Sequence, residues 1–253
     1  MDFGAVGCRQ VQRVRRRIDG RGDIPHQQCT AFDCSRPTQR SSGTGLSEAY
    51  CKQHIEFRRR HGSTWRRSYK VSEILPYRKA AKRWLGEHRA DPMTARVISA
   101  LDAMIARSGP AKSAHDLRWL SPQDRADQVI SRLREAGIPG KRLLEFTLTI
   151  KAAMADIGPR ANPEFMQVQI AKMAHRLNSG TTRTPSGLPM RPKYPRPEGR
   201  FMRVLGHMIE DLAGIAATPE AVREVVSMAN SFKRDIASEP VAGMGPAKSR
   251  SQK

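Results

Sequence analysis

Three cysteines and one histidine near the start of the chain constrain it more than any other feature. Cys29 and Cys34 are separated by four residues, Cys51 and His54 by two, and sixteen residues lie between the two pairs. Three thiols and an imidazole in two short pairs can close a tetrahedron around a metal ion. Cys51 and His54 also open a helical pattern, and residues three apart on a helix share a face. We therefore predict one structural Zn²⁺ per chain, with Cys29, Cys34, Cys51 and His54 as its ligands.

Disulfides and incidental thiols are the alternatives to a metal site. The chain has four cysteines, and three of them lie within 23 residues in polar surroundings. Buried structural cysteines are usually surrounded by apolar residues, so this setting favours a metal. A metal with four protein ligands has no open coordination position, which predicts a structural rather than a catalytic ion.

The sequence around these residues resembles the short Cys/His module at the front of many phage and bacterial HNH-endonuclease-type proteins. The matching positions are Cys29, Cys34, Arg36, Pro37, Cys51, His54, Arg59, Arg60, His61 and Gly62. The chain departs from that pattern at Ile55, Phe57 and Arg58, and its linker is longer. The resemblance covers about 35 residues and implies a treble-clef-like zinc module that contacts nucleic acid, in a phage or mobile-element setting. The helical remainder is not assigned to a characterised family.

The charge of the chain indicates a polyanionic partner. The 253 residues contain 45 Lys and Arg against 24 Asp and Glu, a net charge of +21, and residues 1–90 carry +12 of it. Such an excess favours nucleic acid, because binding releases the counterions condensed on phosphates. Ribosome-associated and membrane-surface proteins are also basic, so the charge alone leaves these classes open.

Arginines that follow Cys51 and His54 are the candidate nucleic-acid contacts. A helix over about 51–61 turns its metal-ligating side inward and leaves Arg59 and Arg60 exposed. The predicted contacts are Arg58, Arg59, Arg60, Arg66 and Arg67, with DNA favoured over RNA. Trp65 has two possible roles, stacking on a base or closing the small core of the module.

The rest of the chain predicts a mainly α protein, with the small treble-clef-like zinc module followed by a multi-helix domain. The predicted divisions are a flexible basic arm (1–24), the zinc-binding module (25–68), a helical domain (70–237) and a disordered tail (238–253). Apolar stripes at helical spacing, with Ser72 and Ser121 as caps, predict helices from Ser72 onward and over 94–107, 123–136, 141–157, 163–178, 200–217 and 219–236. The pair 123–136 and 141–157 could be a helix-turn-helix, but its second helix is apolar and favours core packing.

The sequence contains no recognisable catalytic constellation. An HNH nuclease needs a general-base histidine, an asparagine and a further metal ligand in one unit, and the three asparagines are not framed by histidines. We therefore predict a non-enzymatic, zinc-stabilised nucleic-acid-binding protein. The alternatives are a protein-interaction scaffold that uses the helical domain, and an HNH-type relative without the catalytic residues. Without a secretory or membrane-spanning segment, the predicted location is cytoplasmic with no membrane partner.

Overall fold

The protein is mainly helical, as predicted. A computed structural model describes residues 28–38, 46–112, 119–158, 162–177 and 199–238. In this part of the chain the helices are α1 Leu46–Ala49, α2 Lys52–His61, α3 Val71–Glu87, α4 Pro92–Ala106, α5 Pro122–Glu135, α6 Gly140–Ile157, α7 Pro163–Leu177, α8 Arg200–Ala213 and α9 Pro219–Ser238. Within the same ranges, extended pairing is limited to one isolated antiparallel bridge between Gln28 and Pro37.

The chain divides into two compact units, Met1–Ile55 and Glu56–Lys253. The division falls inside α2, so the first turn of this helix belongs to the first unit. The predicted arm over 1–24 and nearly all of the predicted tail over 238–253 lie outside the described residues. The predicted domain limits therefore stay a prediction.

The second unit is built around α6, which contacts α3, α4, α7, α8 and α9. Twelve of its 18 residues are buried, as expected of a helix that is apolar on most of its circumference. Glu145 is only 3% exposed and is paired with Arg78 at 3.1 Å and Arg142 at 2.5 Å, which offsets the cost of burying its charge. Since α6 is the central helix, its surface is not available for a DNA groove, and core packing is the correct interpretation of this helix.

Helix starts follow capping side chains. Ser121 accepts the N–H of Asp124 at 3.1 Å and caps α5, as predicted. The predicted cap at Ser72 is wrong: α3 begins at Val71, because Glu73 accepts the backbone N–H of Lys70 at 2.6 Å and extends the helix towards the N-terminus. Similarly, α4 begins two residues before the predicted start, because Asp91 accepts the N–H of Thr94 at 2.7 Å.

Helices α7 and α8 approach each other closely at Gly206. A Cβ atom at this position would lie 2.0 Å from the carbonyl oxygen of Gln167, so only glycine fits here without displacing backbone. The interface is otherwise lined by buried apolar side chains of both helices, including Phe165, Phe201 and Leu205. None of the helices in the described ranges combines the length and the apolar character that crossing a bilayer requires.

Candidate metal centre and basic surface

The first pair of predicted ligands, Cys29 and Cys34, lies in a tight knuckle. The backbone N–H of Cys29 donates to the carbonyl of Arg36 at 2.9 Å, and the N–H of Cys34 donates to Ala31 at 3.2 Å. Asp33 has a φ of 56°, a left-handed conformation that aspartate tolerates better than most residues. These contacts turn the chain back on itself, so the two cysteine side chains of the knuckle converge.

The second pair lies at the beginning of α2. The N–H of Ile55 donates to the carbonyl of Cys51 at 3.0 Å, which closes the first turn and places His54 above Cys51. Thr30 of the knuckle donates both its N–H and its hydroxyl to the carbonyl of Ala49, at 2.8 and 2.9 Å. The knuckle is therefore attached to the residues just before the helix.

The four predicted ligands converge on one point. Nδ1 of His54 lies 3.3 Å from Sγ of Cys29 and 3.4 Å from Sγ of Cys51, and the Sγ atoms of Cys34 and Cys51 are 4.0 Å apart. A tetrahedral zinc with ordinary bond lengths separates two sulfurs by about 3.8 Å, and a sulfur from a nitrogen by about 3.6 Å. The observed spacings agree with both values, so the group can hold a metal ion and is compatible with zinc.

The thiols themselves favour a metal over a disulfide. Cys29, Cys34 and Cys51 are all unbridged, and a sulfur separation of 4.0 Å is about twice the length of a disulfide bond. Burial raises the pKa of the Cys51 thiol, but the backbone N–H of His54 and the neighbouring thiols outweigh it and lower the pKa overall. The pKa of the Cys34 thiol is raised instead, so of these two thiols only Cys51 is closer to the thiolate that ligates metals.

A second group of possible metal ligands lies on α8, where His207, Glu210 and Asp211 also come within 4.8 Å of one another. These side chains lie on a more exposed surface and are engaged in ion pairs. Nδ1 of His207 is 3.0 Å from Asp211, and Glu210 is 3.2 Å from the ammonium of Lys151. This arrangement is typical of a solvated helix face.

The predicted basic residues on α2 have different surroundings. Arg58 is paired with Glu164 at 2.5 Å, and the same carboxylate binds Arg203 at 2.6 Å. Arg59 and Arg60 are exposed, and the carbonyl of Arg59 accepts the N–H of Gly199 at 3.0 Å. The guanidinium of Arg58 therefore contributes mainly to joining α2 to α7, while Arg59 and Arg60 present their charges at the surface.

The loop after α2 presents the remaining predicted contacts. Arg67 is exposed, and the guanidinium of Arg66 lies over the ring of Tyr69, 5.3 Å from its centroid. Trp65 is 66% exposed, so the structure excludes the possibility that it closes a core.

The side chain of His61 is partly buried and lies near several cations of this surface. Its Nδ1 accepts the backbone N–H of Ser68 at 3.0 Å, which requires the neutral ring. Burial, together with the charges of Lys172, Arg60 and Arg67, lowers the pKa of His61 to about 4. The three cations therefore add to burial in disfavouring a further positive charge at this position.

Lys172 and Ser68 belong to this surface but were not predicted. The ammonium of Lys172 donates to the hydroxyl of Ser68 at 2.6 Å, and the two residues are 104 positions apart. Such a contact cannot be inferred from the spacing of residues in the sequence, because it depends on how α7 packs beside the loop. We call Arg59, Arg60, Arg66, Arg67 and Lys172 the basic surface from here on.

No family model, characterised protein or solved structure matches this chain. The Cys/His group is confirmed by its geometry, whereas the relationship to HNH-endonuclease-type proteins stays a prediction that depends on the motif.

Proposed function

We propose that the protein is a zinc-stabilised nucleic-acid-binding protein without catalytic activity of its own. The observation that carries the proposal is the basic surface, where Arg59, Arg60 and Arg67 are exposed and Lys172 of α7 donates to Ser68 in the same loop, which creates a positive field. Phosphates are the ligands that such a field favours, because they replace the mutual repulsion of the cations with attraction.

Zinc has a structural role in this proposal. Cys29, Cys34, Cys51 and His54 would supply all four ligands, and a bound ion would fix the knuckle against the first turn of α2. The protein contributes the donor set, and the ion contributes rigidity to a segment with few apolar residues. The preference for DNA over RNA is supported only by the motif resemblance.

Salt dependence tests the proposal directly. The affinity of the full chain for a labelled DNA duplex should fall steeply between about 50 and 200 mM salt, with a log–log slope of roughly 0.9 per neutralised phosphate. Replacing both Arg59 and Arg60 by alanine should reduce that slope by about two. The control is Arg223→Ala, because this exposed arginine is paired with Glu220 at 2.7 Å and should leave the slope unchanged.

Two results would contradict the proposal. One is the absence of binding to duplex or single-stranded nucleic acid at low salt. The other is a slope that is equal in the wild type, the double variant and the Arg223→Ala control, which would remove α2 from the interface.

Protein binding is the second candidate function, and one observation favours it. A cleft of the second unit combines apolar side chains from α4, α5 and α8 with polar and charged residues; its lining is Met104, Arg107, Ser108, Gly109, Asp127, Ile130 and Met208. Methionine side chains adapt to apolar partners of varied shape. Binding of a helix in such a cleft should change little with salt, which distinguishes this function from phosphate binding.

A further inference from the structure

Trp65 is exposed although large aromatic side chains are usually buried. Its side chain is 66% exposed, whereas Trp84 is 4% exposed and donates its indole N–H to Glu224 at 2.5 Å. A single exposed aromatic residue is common on protein surfaces and has no significance by itself. Its surroundings therefore decide whether this residue has a role.

The loop that carries Trp65 is held in one conformation. Ser63 is 2% exposed, and its hydroxyl accepts the backbone N–H groups of Trp65 at 3.4 Å and Arg66 at 3.1 Å. Gly62 has a φ of 77°, and a Cβ there would lie 2.6 Å from the carbonyl oxygen of Glu164, so the loop starts in direct contact with α7. The position of Trp65 is therefore fixed before any ligand binds, which lowers the entropic cost of using it.

The end of the loop is anchored equally well. The hydroxyl of Tyr69 donates to the carbonyl of Gly158 at 3.2 Å, and its ring meets Phe165 edge-on with centroids 5.3 Å apart. Between the two anchors the chain contains no acidic residue from His61 to Lys70. Trp65 is thus an exposed aromatic ring on a loop that is anchored at both ends and whose charged residues are all basic.

We propose that Trp65 binds an unpaired nucleobase by stacking, while Arg66 and Arg67 hold the phosphates on either side of it. Every base has an aromatic face, so a stacking residue beside cations recognises single strands or extruded bases with little sequence preference. This inference depends on the proposed nucleic-acid binding and specifies its ligand as nucleic acid with an accessible base.

The cationic neighbours favour nucleic acid over an apolar protein partner. Trp65 is followed in the sequence by Arg66 and Arg67. Lys172 of α7 lies within hydrogen-bonding distance of Ser68 in the same loop. Protein interfaces place their aromatic anchors in an apolar centre and their charges at the rim. An exposed ring in a loop whose charged residues are cationic matches the alternation of base and phosphate along a strand instead.

Tryptophan fluorescence of the full chain tests the inference. Trp119 is 83% exposed and would contribute its own signal, so it is replaced by phenylalanine, and buried Trp84 supplies a constant background. Single-stranded oligothymidylate should quench the Trp65 emission. In binding assays that follow a labelled strand, Trp65→Ala should lower the affinity for oligothymidylate by about 5- to 150-fold with an unchanged salt slope, whereas Trp65→Phe should retain most of it.

An abasic strand of equal length supplies the control on the ligand side, since it keeps the phosphates and removes the bases. The wild type should bind it about as weakly as Trp65→Ala does. Equal affinity of the wild type for the normal and abasic strands would overturn the stacking role, and so would equal affinity of the wild type and Trp65→Ala for oligothymidylate. Steep salt dependence in those cases would leave the proposed nucleic-acid binding intact.

The failure of the proposed function gives a different result. A wild type that binds neither strand nor duplex at low salt would overturn both proposals together. Quenching of Trp65 by anionic phospholipid vesicles but not by oligothymidylate would also overturn the inference, because it would assign the loop to a membrane surface.

Discussion

Gly206→Ala should destabilise the helical unit although alanine is the better helix former. In an open helical position this substitution stabilises by about 0.5–1 kcal/mol, since glycine loses more backbone entropy on folding. At Gly206 the new Cβ would lie 2.0 Å from the carbonyl oxygen of Gln167, well over an ångström inside normal contact distance. The clash is with backbone that cannot rotate away, so α7 and α8 must separate. Overpacking of this kind costs about 1–3 kcal/mol and occasionally more, and we expect a net loss near 2 kcal/mol.

Gly86→Ala provides the matched control, because Gly86 lies in α3 with no heavy atom within 4 Å of the added Cβ. Thermal unfolding followed by far-ultraviolet circular dichroism should show a lower Tm for Gly206→Ala, by roughly 4–8 °C. The same measurement should show an unchanged or slightly higher Tm for Gly86→Ala. Equal shifts in the two variants would refute the close approach of α7 and α8.

Three further predictions concern the metal site, pH dependence and a buried hydroxyl. Cys51→Ser or chelation should unfold the first unit and leave most helicity, as followed by circular dichroism; uniform loss of helicity would contradict two separate units. His175 is buried, and its burial together with the charges of Arg132 and Arg176 lowers its pKa to about 4. Below pH 6.5 this histidine is therefore protonated more readily in the unfolded protein than in the folded one. His175 should account for about 1–2 kcal/mol of the stability lost between pH 6.5 and 5, a contribution that is absent in His175→Gln; equal pH slopes of the two proteins in urea titrations would contradict this. Tyr77→Phe should cost about 1–2 kcal/mol in urea unfolding, because the Tyr77 hydroxyl donates to Asp156 at 2.6 Å; an unchanged midpoint would contradict it.

The helices of the body were predictable because they carry apolar stripes, and several of them, such as α4 and α5, also have a capping residue. The stripe through Val97, Leu101 and Ile105 is buried in α4, as its spacing indicates. The start of a helix is harder to predict where two side chains can serve as caps. At α3 the hydrogen bond from the Lys70 N–H to Glu73 sets the start of the helix, and Ser72 does not act as the cap. The central place of α6 was predictable from its many apolar residues. The structure agrees, because twelve of its 18 residues are buried.

The metal ligands were predictable for a different reason. Short spacings such as Cys29 to Cys34 restrict where two side chains can lie, and the second pair uses the geometry of a single helical turn. Local sequence therefore contains almost all of the information that the centre requires. The structure adds the hydrogen bonds from Thr30 to Ala49 that attach the knuckle to the residues before α2.

The basic surface could be predicted only in part. Its arginines are close in sequence, but the salt bridge of Arg58 is made with Glu164, 106 residues away, and Lys172 reaches Ser68 over a similar separation. The exposure of Trp65 likewise depends on how Gly62 and Tyr69 anchor the loop to the body. Such contacts are set by helix packing, which has no local signature in the sequence.

The metal content of the purified full chain tests the central claim most directly, because all four predicted zinc ligands lie close enough together to hold one ion. Elemental analysis of protein prepared without added metal should give one zinc per chain, and a variant with Cys29, Cys34 and Cys51 replaced by serine should give none. A wild-type chain that contains no zinc, or a variant that retains it, would contradict the claim.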